Sequence, residues 1–187
     1  VRRKMKLNDT MMEFAELAGI RQSVRAIGKA VEEEKLMQCI ETARLSPSAN
    51  NSQPWSSSSW TNRNSETASP MRQREWGMNK FVRQAPVIIA VVLEKQNMLS
   101  AVGSVIQDKE YRLLDIGIAA NQLCLQAAAL GLGTCMVGWF DENKVKRLLG
   151  VDKKRRIPLL ITLGYSDTPV RQKVRKPFEE IYGRNRY

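Results

Sequence analysis

The sequence predicts an α+β or α/β chain built around a small central sheet, and three observations carry that prediction. From Pro86 to Leu93 the run Val-Ile-Ile-Ala-Val-Val-Leu is apolar at every position, the pattern of a strand covered on both faces. From Asp108 to Leu130 the chain is rich in alanine and leucine and apolar over much of a helical surface, as a central core helix would be. Helix-like and strand-like segments then interleave without an internal repeat, so helices are expected against a sheet.

Each element has its own local signal. Thr10 to Gly19 is amphipathic, with Met11, Met12, Phe14, Ala15, Leu17 and Ala18 supplying a broad apolar face and Gly19 a stop. A second helix is expected from about Val31 to Leu45. Leu36, Ile40 and Ala43 recur at helical spacing, and Glu32, Glu33 and Glu34 occupy its first turn, where the helix dipole favours negative charge. The segment Ser46 to Trp55 is a polar loop bracketed by Pro47 and Pro54. After the break at Gly131-Leu132-Gly133, Thr134 to Val137 reads as a short strand. Asp141 is a suitable N-cap for a helix ending at Leu149-Gly150, and Ile157 to Leu163 reads as another buried strand stopped at Gly164. The tail from Thr168 to Tyr187 is basic and has little periodicity.

Composition narrows the class. The 187 residues, 43% of them hydrophobic, suffice for one domain with a core, expected over residues 1–187 with a loose arm at 1–9. No apolar run approaches the roughly 20 residues of a membrane span, and the basic start lacks an apolar segment behind it, so neither a membrane anchor nor a signal peptide is expected. Cytoplasmic localisation follows as the expectation. The cysteines Cys39, Cys124 and Cys135 lie far apart, which argues against a disulfide framework or a zinc site. No histidine is present, so Ser-His-Asp and Cys-His catalysis are excluded and no metal site is expected. The net charge of +11 admits nucleic-acid binding, but the basic residues are dispersed and no nucleic-acid-binding motif accompanies them. Small phosphorylated ligands or plain solvated surface are the readings preferred for that charge.

Four motifs carry chemistry. Arg21-Gln22-Ser23-Val24-Arg25 offers two cations and a hydroxyl to a single ligand, a set suited to phosphate and neighbouring oxygens. Pro47, Ser48, Asn51, Gln53, Pro54 and Trp55 form a patterned loop, and Gly131-Leu132-Gly133-Thr134-Cys135 runs into Val137-Gly138-Trp139-Phe140-Asp141. Lys173-Val174-Arg175-Lys176-Pro177 closes the series. Taken singly each has a plain structural reading, as a solvated turn, a polar connector, a helix-to-strand break or surface cations. In this order and spacing, from about Phe14 to Tyr187, they resemble the FMN-dependent nitroreductase family.

That resemblance implies a three-layer α/β/α sandwich with a small central mixed sheet, forming an intertwined homodimer with FMN at its interface. It implies cofactor contacts from Arg21, Gln22, Ser23, Arg25, Pro47, Ser48, Ala49, Asn51, Gln53, Met136, Val137, Gly138, Lys173 and Arg175. Arg21 and Ser23 would hold the phosphate side, with Lys173 and Arg175 converging on the phosphate. Arg25 would lie at the pyrimidine edge, where a cation stabilises the charge that develops on reduction. Gln22 departs from the arginine or histidine often found there. The loop at Pro47 to Trp55 would reach the flavin of the other subunit, and Met136 to Gly138 would run along the ring with a main-chain N–H near Gly138 directed at N5. NAD(P)H would be the reductant and a small nitroaromatic or quinone the acceptor. No catalytic acid or base is implied, because the flavin carries the chemistry, and Asp115 is expected to be a hydrogen-bond partner. The alternatives are a non-enzymatic flavin-binding module and a basic nucleic-acid-binding domain.

Residues 56–76 do not fit the pattern. A family member should have an apolar strand after the tryptophan, whereas Ser56 to Ser59 are four serines, poor strand material that belongs in an exposed loop. Read one register over with free choice of synonymous codons, the stretch gives Ile-Val-Val-Leu-Asp-Glu-Pro-Glu-Leu, a strand and a helix start. A translated frameshift is therefore the reading preferred, and a genuine polar insertion is the alternative.

Overall fold

A computed structural model of the chain describes residues 13–61, 80–95 and 97–185. The N-terminal arm at 1–9 and most of the anomalous stretch, residues 62–76, lie outside the described residues.

Among the described residues four strands form one sheet in the order β1 (Trp55–Thr61), β2 (Val87–Leu93), β4 (Arg156–Gly164), β3 (Gly133–Val137). Each pair is antiparallel. The mixed sheet expected from the resemblance is thus antiparallel among its named strands, and among the described residues its parallel component is one bridge between Ser23 and Thr134. The two strands with continuous apolar runs take the centre, in a register that sets Ile89 opposite Ile161 and Val87 opposite Leu163.

Alternation of side chains then builds two cores. Val87, Ile89, Val91, Ile161 and Leu163 face helices α2 (Glu33–Arg44) and α4 (Tyr111–Ala129), where they meet Leu36, Cys39, Ala119, Leu123 and Ala127. Ile88, Ala90, Val92 and Leu160 face the other way, onto Val145 of α5 (Glu142–Leu149) and Val82 of the 3₁₀ turn Lys80–Gln84. The result is three layers, helix on sheet on helix. Each fully buried Ile or Leu contributes about 1.5–3 kcal/mol by leaving water. The three cysteines are free and buried; burial pushes the Cys39 thiol up to about 11.

The structure adds one helix and moves some boundaries. The expected long helix begins only at Tyr111, because Asp108 sits in the left-handed region (φ 49) and separates it from α3 (Met98–Gln107). Helix α3 escaped the sequence reading, although Asn97 caps it by accepting from the Ser100 N–H at 2.9 Å. Helix α1 spans Phe14–Ile20. Asp141 caps α5 as expected, accepting from the Lys144 N–H at 3.1 Å, and Gly150 ends it at φ 66. The start of α2 is clasped to the end of β4. The Tyr165 hydroxyl donates to the Glu32 carboxylate at 2.8 Å and accepts from Lys35, whose ammonium lies 4.9 Å from the ring centre.

The serine stretch corrects the expectation of a loop. Ser56 to Ser59 lie within β1, an edge strand whose register runs from Trp55 opposite Leu93 to Thr61 opposite Val87. Main-chain pairing with β2 and two tryptophan anchors account for it: Trp55 packs on the α2/α4 side and Trp60 on the α5 side. Ser56, Ser57 and Ser59 are exposed and Ser58 half-buried, so the hydroxyls of an edge strand keep their solvent. Among the described residues no helix is long and apolar enough to cross a membrane.

Candidate functional site

Two close contacts fix the Arg21–Arg25 turn. The Val24 N–H donates to the Thr134 carbonyl at 2.8 Å, which lays the turn alongside the start of β3. Gly133 permits this approach. A Cβ there would stand 3.0 Å from Val24 Cβ, tighter than nearly all real contacts. Val24 itself is buried, so the alternation of the turn leaves Ser23 and Arg25 on the side away from the core.

Arg21, Gln22 and Ser23 form one wall of a cavity of about 260 Å³, and Arg171, Gln172, Lys173, Val174 and Arg175 form the other. The structure thus brings the first and last motifs together across some 150 residues of sequence. Three of the lining side chains hold the walls to each other. Gln22 donates to the Pro169 carbonyl at 2.9 Å and accepts from the Arg171 main chain at 3.1 Å and side chain at 3.2 Å. Arg171 also donates to the Ser23 carbonyl at 2.7 Å. Gln22 is therefore a strut between turn and tail, with its amide already engaged. Lys173 donates to the carbonyls of Ala18 and Arg21 at the end of α1.

The electrostatics of this cavity are one-sided. Four cations line it, and none of its described lining residues is acidic. The Lys173 ammonium is held below the ordinary lysine range, first by desolvation and then by the charges of Arg21 and Arg175. Such a cluster of like charge is relieved by an anion, and a phosphate presents acceptor oxygens in the number these donors need.

The remaining residues divide. Arg25 is exposed, its guanidinium 5.7 Å from the centre of the Phe81 ring, a cation–π contact that the sequence did not reveal. Met136 is at the surface and Gly138 is exposed, while Val137 is 4% exposed, gives its side chain to the core and pairs with Leu160 of β4. The loop residues Pro47, Ser48, Ala49, Asn51 and Gln53 do not line the cavity of their own chain. They sit on α3 and α4 instead, where the Ala49 N–H donates to Asp115 Oδ1 at 3.1 Å, so Asp115 is the hydrogen-bond partner expected. Within the loop Asn50, Asn51 and Gln53 all have positive φ, near 50°.

Sequence reasoning missed Arg171, Ser100 and Asn97. Arg171 had a usable signal, since Arg171, Lys173 and Arg175 alternate and an extended chain puts alternate residues on one side.

Comparison with known proteins bears on the family and the fold. The nitroreductase family profile matches residues 56–165, more than half of the chain. An oxygen-insensitive NADPH nitroreductase of Helicobacter acinonychis is 29% identical over 174 residues, covering 77% of this chain and 82% of its own. The crystal structure of a nitroreductase family protein from Streptococcus pneumoniae superposes with a TM-score of 0.75 at 27% identity, covering 92% of this chain and all of its own. A protein of the same fold from Exiguobacterium sibiricum, solved in complex with FMN, superposes with a TM-score of 0.77 at 21% identity, covering 96% and 100%. The chain belongs to the nitroreductase family.

Proposed function

We propose that this nitroreductase-family oxidoreductase holds FMN and transfers reducing equivalents from NADH or NADPH to small electron-poor acceptors such as nitroaromatics and quinones. The observation that carries the reading is the acid-free cavity of Arg21, Arg171, Lys173 and Arg175 beside β3. The residues present suit FMN, because the phosphate of that cofactor is an anion that a cluster of four cations would hold. Support comes from the relative named for NADPH and from the neighbour solved with FMN.

Arg21, Lys173 and Arg175 would hold the phosphate by charge-assisted hydrogen bonds, with the Ser23 hydroxyl beside them. Arg25 would place a positive charge at the ring edge, and Met136 to Gly138 would lie along the ring. Bound FMN supplies reversible two-electron redox chemistry in two half-reactions. The chain itself binds, orients and tunes, and no side chain is assigned as a general acid or base.

The site would be completed by a second copy of the chain. Met98, Leu99, Val105 and Ile106 of α3 and Leu113 and Leu114 of α4 are large apolar side chains left exposed. An apolar face of this kind suits a dimer interface, which in permanent dimers often exceeds about 2,000 Å². Burial of that face would bring the Pro47–Trp55 loop of one copy to the cavity of the other.

The test is spectroscopic. FMN-loaded protein should lose its flavin absorbance under NADH or NADPH without oxygen and regain it on addition of a nitroaromatic or a quinone, with parallel double-reciprocal plots in the steady state. Flavin that stays oxidised under both nucleotides would remove the oxidoreductase reading.

A further inference from the structure

The conformation of the Pro47–Trp55 loop is unusual and is held from outside. Asn50, Asn51 and Gln53 carry φ values of 50°, 51° and 46°, three non-glycine residues in the left-handed region within four positions. Asparagine tolerates that region better than other residues with a Cβ and glutamine does so rarely, and three such residues so close together persist where surrounding contacts determine them.

Those contacts come from three side chains on and before two helices. Asp115, 5% exposed on α4, accepts from the Ala49 N–H at 3.1 Å. Ser100, 1% exposed on α3, donates its hydroxyl to the Ala49 carbonyl at 2.9 Å and accepts from the Asn50 amide at 3.3 Å. Asn97 donates its amide to the Asn50 carbonyl at 3.0 Å, and its main-chain N–H donates to Ser52 Oγ at 2.9 Å. Both main-chain groups of Ala49 are thereby pinned by buried side chains. The loop closes on itself through the Gln53 N–H, which donates to Ser48 Oγ at 2.9 Å. Helix α3 also bears the exposed apolar residues Met98, Leu99 and Val105, so the clamp ties the loop to the face on which a second copy would seat.

We propose that Asp115, Ser100 and Asn97 are positioning residues. They set the loop that carries Ser48, Asn51 and Gln53 in a ligand-ready conformation before the flavin arrives, and they fix it relative to the dimer face. The proposal rests on the FMN reading for the identity of the ligand, but the preset conformation stands or falls without it. Asp115 acts as a hydrogen-bond acceptor here, so an asparagine that keeps an acceptor at Oδ1 should largely replace it, whereas alanine should not.

The experiment uses the full-length chain and the variants Asp115→Ala, Asp115→Asn and Ser100→Ala. Three quantities are measured: amide hydrogen exchange of residues 48–54 without cofactor, FMN affinity by flavin fluorescence, and the urea midpoint. Asp115→Ala should speed exchange across the loop and weaken FMN by roughly tenfold, the effect of losing one buried hydrogen bond. Asp115→Asn should restore both, and Ser100→Ala should give an intermediate loss. Loop exchange unchanged in Asp115→Ala and Ser100→Ala overturns the proposal. So does a loss of FMN affinity that follows only the urea midpoint and is not rescued by Asp115→Asn. If the wild type binds no FMN, the FMN reading fails, while the exchange data still decide whether the loop is preset.

Discussion

The Lys173 ammonium donates to the main-chain carbonyl of Arg21 at 2.7 Å and to that of Ala18 at 2.5 Å, so one side chain of the tail caps the last turn of α1. The last carbonyls of a helix have no intrahelical donor, and a lysine supplies both a hydrogen bond and the charge that the dipole favours there. Helix α1 has seven residues and none of them is buried, so it depends on this cap more than on packing. Replacing Lys173 by methionine keeps the stem and removes the donor. Faster amide exchange at residues 18–22 is expected, together with weaker FMN binding. Unchanged exchange there would show that the tail does not hold α1.

Arg21→Ala and Arg175→Ala should each weaken FMN retention by on the order of 1.5–3 kcal/mol, the worth of a hydrogen bond to a charged group. Arg25→Ala should instead lower the flavin reduction potential, because a cation at the ring edge stabilises the reduced anionic form more than the oxidised one. Fluorescence titration and dye-coupled potentiometry separate the two effects. Cofactor affinity unaltered in all three variants would disprove the residue assignments.

Glu142 gives a prediction in pH. Burial acts to raise its carboxyl, but hydrogen bonds from Lys146 and the Ile157 N–H, with the charges of Lys146 and Arg156, outweigh that and hold it below the ordinary value of 4.5. A carboxyl depressed in the folded state contributes stability that is present above its unfolded value and lost as pH falls through the folded one. Lys146, 6% exposed, has its ammonium 2.9 Å from Glu142 and would be left without that partner. Glu142→Gln should therefore cost about 2 kcal/mol near neutrality and flatten the acid limb of stability below pH 4.5. Urea midpoints across that range check it, and an acid limb as steep as in the wild type would remove Glu142 as a contributor.

Ser57 and Ser59 stand opposite Val91 and Ile89, on the α2/α4 side of the sheet, with apolar partners across the strand. Ser57→Val and Ser59→Ile should raise stability by about 0.5–1 kcal/mol each, through cross-strand packing and strand propensity. A lowered urea midpoint would mean that this edge has no apolar neighbours to offer. Peptide sequencing of the same segment decides the frameshift reading: a peptide carrying the four serines ends it, and one reading Ile-Val-Val-Leu establishes it.

The parts of the fold legible in the sequence are those with a single strong signal. The apolar run at Val87–Leu93, the cap at Asp141 and the stop at Gly150 dictate local structure through their own neighbours, and the structure has them where expected. Helix α3 was not legible, because its separation from α4 depends on the left-handed turn at Asp108, where no glycine or proline marks the break. Strand β1 was misread because serine propensity opposes what pairing with β2 and the two tryptophans impose. At the site, the motif residues Arg21 and Arg175 were found by pattern. The alternation of Arg171, Lys173 and Arg175 marks Arg171 as a site residue, but the strut contacts of Gln22 and Arg171 and the clamps of Ser100 and Asn97 join segments distant in sequence and carry no local signature.

In the proposed function the cations Arg21, Lys173 and Arg175 hold FMN by its phosphate. Titration of the purified full-length chain with FMN and with riboflavin, which lacks the phosphate, separates that contact from the rest of the flavin. Tight binding of FMN that weakens with added salt, and riboflavin binding weaker by at least about a hundredfold, is the expected result, given two or more charge-assisted contacts. Equal affinity for the two flavins, or no affinity for either, would contradict it.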